Sequence, residues 1–141
     1  MNNFSKAKVL CIGDLILDCY ALGGVEKISP EAPIPVLKLE DKVTMLGGAG
    51  NVVRNLAGLG SQVNFTTVIG KDSEGEEIRK LIRQEGLVDS LLIDDATRQT
   101  SVKSRYLADG QQILRTDHET IFPLNRNVEK KLISTAVKAM E

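Results

Sequence analysis

Asp14 and Asp18 stand four residues apart in Gly13-Asp14-Leu15-Ile16-Leu17-Asp18, directly after the apolar run Val9-Leu10-Cys11-Ile12. Two carboxylates at a strand end are suited to accept hydrogen bonds from neighbouring hydroxyls, the chemistry that grips a sugar. Asp14 fits an ordinary turn equally well. Asp18 does not, because a carboxylate among Leu, Ile, Leu, Cys and Tyr is costly unless it is paired. Gly47-Gly48-Ala49-Gly50-Asn51 is the second feature. Residues without side chains allow a backbone to approach a small ligand, and a helix start behind them offers free N–H donors. The same residues also make a tight turn at a helix entrance. They match neither GxxxxGK[ST] nor GxGxxG, so neither a phosphate loop for nucleoside triphosphates nor a dinucleotide fingerprint is supported. Lys103 and Arg105 alternate on one face of a strand-like run, so both can meet a single anion such as a phosphate, or both can face solvent. His118 is the sole histidine. Without a second histidine or a Ser or Cys elbow, neither a zinc site nor a catalytic triad is supported, and His118 reads as a surface residue. Cys11 and Cys19 form no CxxC pair and read as reduced thiols, Cys11 buried in a strand.

The elements that must position these residues follow from the hydrophobic pattern. Val9 to Ile12, closed by Gly13-Asp14, reads as a buried strand of a parallel sheet. The apolar stretch Leu15 to Tyr20 runs on until Gly23-Gly24 breaks it. Three of the four prolines fall in Ser29-Pro30-Glu31-Ala32-Pro33-Ile34-Pro35, which excludes helix and central strand and predicts an extended loop. Val36 to Glu40 alternates as an edge strand would. Val52, Val53, Leu56, Ala57 and Leu59 recur at helical spacing between the glycine-rich turn and Gly60. Val63 to Ile69 predicts the next strand, and Asp72 with Glu76 and Glu77 predicts an acidic helix start running to about Glu85, stopped by Gly86. Leu87-Val88 and Leu91 to Ile93 predict another short strand. Strand, helix, strand, helix, strand argues for an α/β domain with parallel pairing. Ser101 to Leu107 and Gln111 to Asp117 flank Ala108-Asp109-Gly110, a hairpin signal. Asn125 to Met140 carries a last helical pattern.

Length and composition limit the function classes. With 141 residues, 42% hydrophobic and 26% charged, one domain is expected. Lys and Arg number 18 against 19 acids, a net charge of -1, which leaves no footprint for nucleic acid or an anionic membrane surface. No apolar run approaches the roughly 20 residues that span a bilayer, and the start shows no signal-peptide pattern, so a cytoplasmic protein is expected.

Taken in order, Gly13-Asp14 with Asp18, then Gly47-Gly48-Ala49-Gly50-Asn51, Gly60 and Gly70, resemble the N-terminal signature of PfkB-type, ribokinase-like sugar kinases. Ile28 to Val36, Thr100 to Arg105 and Gln111 to Asp117 resemble more particularly the heptose 7-phosphate kinases of ADP-heptose and lipopolysaccharide synthesis. The likeness runs from about residue 7 to about residue 119. It implies the N-terminal portion of a Rossmann-like α/β layer with a small β lid, the lid built from about residues 16–42 and 100–117. It implies a sugar held by Asp14, Asp18, Gly47, Gly48 and Asn51, a substrate phosphate near Lys103 and Arg105, and Asp117 shaping the site. The activity implied is ATP- and Mg2+-dependent phosphorylation of the anomeric hydroxyl of a heptose 7-phosphate. Exposed lid strands offer edges for pairing, so a homodimer through the lid is the expected assembly. Val53 departs from the small residue usual in the signature, so the helix there is expected to sit slightly displaced. The family's Gly-Ala-Gly-Asp motif, which carries its catalytic aspartate, does not occur in residues 1–141. The expectation is therefore a polypeptide inactive by itself, with a non-catalytic phosphosugar-binding or lid-mediated interaction module as the alternative.

Overall fold

A computed structural model describes residues 4–87 and 90–140. The apolar run after Lys8 forms β1 (Lys8–Ile12), and Val63 to Ile69 lies within β4 (Gln62–Gly70). β5 (Ser90–Asp95) follows; the Val88 part of its expected start lies outside the described residues. These three strands make a parallel sheet in the order β1-β4-β5, Cys11 standing opposite Phe65 and Val68 opposite Ile93. The connections are helical, as parallel pairing requires: α1 (Ala49–Gly58) precedes β4 and α2 (Ser73–Gln84) precedes β5. β4 is covered on both sides. Phe65 and Ile69 enter a core with Val53 of α1 and Ile78 and Ile82 of α2, while the Asn64 amide donates to the Ala139 carbonyl at the end of α3 (Arg126–Lys138).

The second sheet has four strands in the order β3-β2-β6-β7. β2 (Leu15–Ile28) and β3 (Pro35–Gly48) form a long antiparallel hairpin, and β6 (Ser101–Ala108) with β7 (Gln111–His118) forms a short one. The short hairpin turns on Asp109 (φ 49) and Gly110 (φ 81). Two left-handed central residues are what a tight hairpin with the right twist needs, and Asp-Gly supplies them. The hairpins join by parallel pairing of β2 with β6.

Two sequence expectations change. Gly23-Gly24 does not end a strand: β2 runs through it, with the ladder slipping a register between Leu22 and Gly23. A glycine is required there because a Cβ on Gly23 would run into the Lys38 carbonyl; close backbone approach at a bulge, not chain reversal, explains it. Reversal is left to Ser29–Ile34, where the prolines sit. The buried thiol is Cys19, 5% exposed, whereas Cys11 is half-buried on a strand at the edge of its sheet. Burial pushes both thiols up from their ordinary range. Val53 is 1% exposed and packed within the core.

The two sheets share this core. Leu15, Leu17, Cys19 and Leu46, from the roots of β2 and β3, pack with Phe65, Ile69, Ile78 and Ile82. Beyond those roots the long hairpin projects, and Ile28, Ile34 and Leu39 are exposed. Among the described residues, no helix is long and apolar enough to cross a membrane.

Candidate functional site

Alternation along β2 decides which side chains can meet a ligand. Leu15, Leu17, Cys19 and Ala21 point into the core, so Ile16, Asp18 and Tyr20 take the opposite face of the sheet. Cross-strand register extends that face: Asp18 is opposite Lys103, Tyr20 opposite Arg105, Lys103 opposite Asp117 and Arg105 opposite Arg115. The strand spacing that placed Lys103 and Arg105 together thus also brings them to Asp18 and Asp117.

The charges on this face pair off. Arg105 Nη1 donates to Asp18 Oδ1 at 2.6 Å, and the Arg105 guanidinium carbon lies 5.3 Å from the centre of the Tyr20 ring. The hydrogen bond to Asp18 raises the Arg105 pKa further, and Arg105 is the partner that a half-buried carboxylate among apolar neighbours requires. Lys103 Nζ donates to Asp117 Oδ2 at 2.9 Å and lies 3.9 Å from Glu119. Arg115 Nε is 3.0 Å from Asp117 Oδ1. The Lys103 hydrogen bond, aided by Arg115, holds the Asp117 carboxyl below its usual range.

The glycines fit around these groups. Gly47 lies against Asp18, and a Cβ there would run into its carboxylate. Gly48 has φ 57 and stands at the N-cap of α1. A Cβ on it would lie 2.5 Å from the Asp14 carbonyl, which accepts from Ala49 N–H at 2.9 Å. The pair ends β3 and then turns the chain into the helix, later than a turn beginning at Gly47 would. Asp14 is exposed, in the connection between β1 and β2. It lines a cleft of about 550 Å3 with Gly13, Ile16, Thr67, Arg98 and Lys103, outside the C-terminal ends of parallel strands, where open α/β sheets place ligands. Asn51 is not brought to this cleft: it lines a separate depression with Arg54, Asn55 and Glu85.

Sequence reasoning missed Tyr20 and Arg98. Tyr20 gave no signal beyond one more apolar residue beside Asp18. Arg98 lies in a turn, its Nε buried without a hydrogen bond and 3.5 Å from Asp95, and its Nη2 donating to the Phe122 carbonyl at 2.8 Å. Burial works against ionised Asp95, yet hydrogen bonds from Thr97 and the charge of Arg98 outweigh it and lower its pKa. Among the described residues no three His, Cys, Asp or Glu side chains converge as a metal would need.

Comparison with known proteins bears on this geometry. The family model for pfkB family carbohydrate kinases matches residues 6–137. The chain is 50% identical over 123 residues to the bifunctional protein HldE of Rhodospirillum rubrum, covering 87% of this chain and 25% of that protein. It is 44% identical over 140 residues to HldE of Acidiphilium cryptum, covering 99% of this chain and 29% of that protein. The chain thus spans little more than a quarter of the length of these curated relatives. Among solved structures, a carbohydrate kinase from Agrobacterium tumefaciens superposes with a TM-score of 0.63 at 26% identity, over 79% of this chain and 35% of that one. Phosphofructokinase-2 from Escherichia coli, solved with fructose-6-phosphate, gives a TM-score of 0.67 at 21% identity, over 95% and 42%. The second likeness is one of fold.

Proposed function

The chain belongs to the pfkB family of carbohydrate kinases, and on that premise we propose that it forms the sugar-holding part of a heptose 7-phosphate kinase. The substrate is D-glycero-β-D-manno-heptose 7-phosphate, phosphorylated at its anomeric hydroxyl by ATP with magnesium to the 1,7-bisphosphate, in ADP-heptose and lipopolysaccharide core synthesis in the cytoplasm. The second sheet acts as a lid over the sugar. Support for the substrate comes from the identity to the HldE relatives.

The observation that carries the reading is the single face of the second sheet on which Asp18, Lys103, Arg105 and Asp117 converge over Gly47. Carboxylates there accept from sugar hydroxyls, and the cations meet the phosphate the sugar already carries. Asp14 and the Gly47-Gly48 backbone complete the hold; Asn51 joins it only if the start of α1 shifts. No residue of this chain is given the role of catalytic base, and ATP supplies the transferred phosphoryl group when bound. The test is calorimetric titration of residues 1–141 with the heptose 7-phosphate, beside a coupled ADP-release assay. Saturable binding supports the reading, and no binding overturns it. A second copy of the chain is the proposed partner, pairing through the exposed lid edges β3 and β7. A single monomeric species at all concentrations in analytical ultracentrifugation would refute that pairing.

A further inference from the structure

Lys103 and Arg105 differ in what their chemistry needs for holding a phosphate. An ammonium is a point charge that binds from any direction, and Asp117 and Glu119 are enough to keep Lys103 in place. A guanidinium binds a phosphate best through two parallel N–H groups, which requires its plane to be set beforehand. The hydrogen bond from Arg105 Nη1 to Asp18 fixes one corner of that plane and leaves rotation about the contact free. Tyr20 stands directly opposite Arg105 in the parallel ladder, on the same face, with its ring 5.3 Å from the guanidinium carbon. An aromatic face at that distance attracts the cation and opposes the remaining rotation.

Resting on the sugar-phosphate reading above, we propose that Tyr20 is a positioning residue for the phosphate end of the substrate. With Asp18 it clamps Arg105 so that the free N–H edge of the guanidinium is presented to the anion. Asp18 takes one of the five N–H donors of Arg105, and the others remain for the ligand. The ring acts through its π face, and its hydroxyl is dispensable.

The test compares wild-type protein with Tyr20→Leu and Tyr20→Phe. Titration with the heptose 7-phosphate should show Tyr20→Leu weakened roughly 3- to 10-fold, while Tyr20→Phe stays within about twofold of wild type. In 1H-15N spectra the Arg105 Nε–H signal should be displaced by the ring current in wild type and Tyr20→Phe, lose that displacement in Tyr20→Leu, and shift when inorganic phosphate is added. Loss of affinity in Tyr20→Phe equal to that in Tyr20→Leu overturns the proposal, because the hydroxyl would then carry the effect. Unchanged affinity in Tyr20→Leu also overturns it. A wild type that binds neither ligand while its Arg105 signal still depends on the ring would refute the phosphate reading and leave the clamp a purely structural contact, a result distinct from the other two.

Discussion

Asp18 meets two demands at once: it neutralises Arg105, and its carboxylate fills the space that a side chain on Gly47 would need. Gly47→Ala should therefore act on the site before it acts on the fold. The added methyl group pushes the carboxylate off Arg105, so affinity for the proposed ligand, heptose 7-phosphate, should fall at least about tenfold, the scale set by losing charge-assisted hydrogen bonds. Calorimetric titration beside a thermal melt separates this from unfolding. Asp18→Asn should weaken binding comparably while leaving Gly47 uncrowded. At this scale the sequence was informative about residue type and silent about partners. Asp18 announced its need for one by standing among apolar neighbours, but the partner lies 87 positions away, beyond any local pattern. Tyr20 was hidden for the opposite reason: next to Leu, Ile and Cys, an aromatic ring reads as core.

Asp72 shows how an element is tied to the rest. As N-cap of α2 it accepts from Gly75 N–H at 2.8 Å, and it also accepts from Thr100 N–H at 2.8 Å and from the Thr100 hydroxyl at 2.6 Å. The Thr100 hydroxyl in turn accepts from Gly70 N–H at 3.0 Å. One carboxylate thus joins the end of β4, the start of α2 and the residue before β6. Burial pushes the Asp72 carboxyl up, but the hydrogen bonds from Thr100 and Gly75 outweigh it and the pKa is lowered. A depressed folded value means that Asp72 stabilises fully above its ordinary value of 3.8 and that this stabilisation is lost as pH falls through the lower folded value. Asp72→Ala should cost about 2 kcal/mol at neutral pH, from the lost cap and an orphaned Thr100 N–H. Urea unfolding repeated at falling pH should show the gap to wild type closing only in the acid range. Elements of this kind were legible. β1, α1, β4, α2 and the β6–β7 hairpin each carry a period or a turn dipeptide, and Asp72 was readable as a helix start. The 14-residue strands β2 and β3 were not, because Gly23-Gly24 imitates a break and the charged residues of β3 hide its alternation. Only pairing with each other and with β6 makes their length visible.

At the scale of the molecule, the core shared by the roots of both sheets makes the fold one cooperative unit, with the hairpin tip outside it. Phe65→Ala should destabilise by about 3 to 5 kcal/mol, since Phe65 is 1% exposed within that core. A single denaturation transition reported by probes in both sheets would check that coupling. Hydrogen exchange should divide along the same line, with slow amides in β4 and fast ones in the tip around residues 28–36, where local opening needs little buried surface to be exposed. The parallel sheet was readable from strand–helix alternation and the β6–β7 hairpin from its Asp-Gly turn, whereas the lid as a whole followed only from the family resemblance and the weld between the sheets was not legible. The parallel ladder of β2 with β6 has one more consequence, for the order of events in folding. Each hairpin closes within its own neighbourhood, but bringing β2 to β6 closes a loop containing β3, α1, β4, α2 and β5, so that step is slow and late. The face that brings Asp18 to Arg105 therefore forms late, and a chain emerging from the ribosome acquires the proposed ligand site only after β6 has been made.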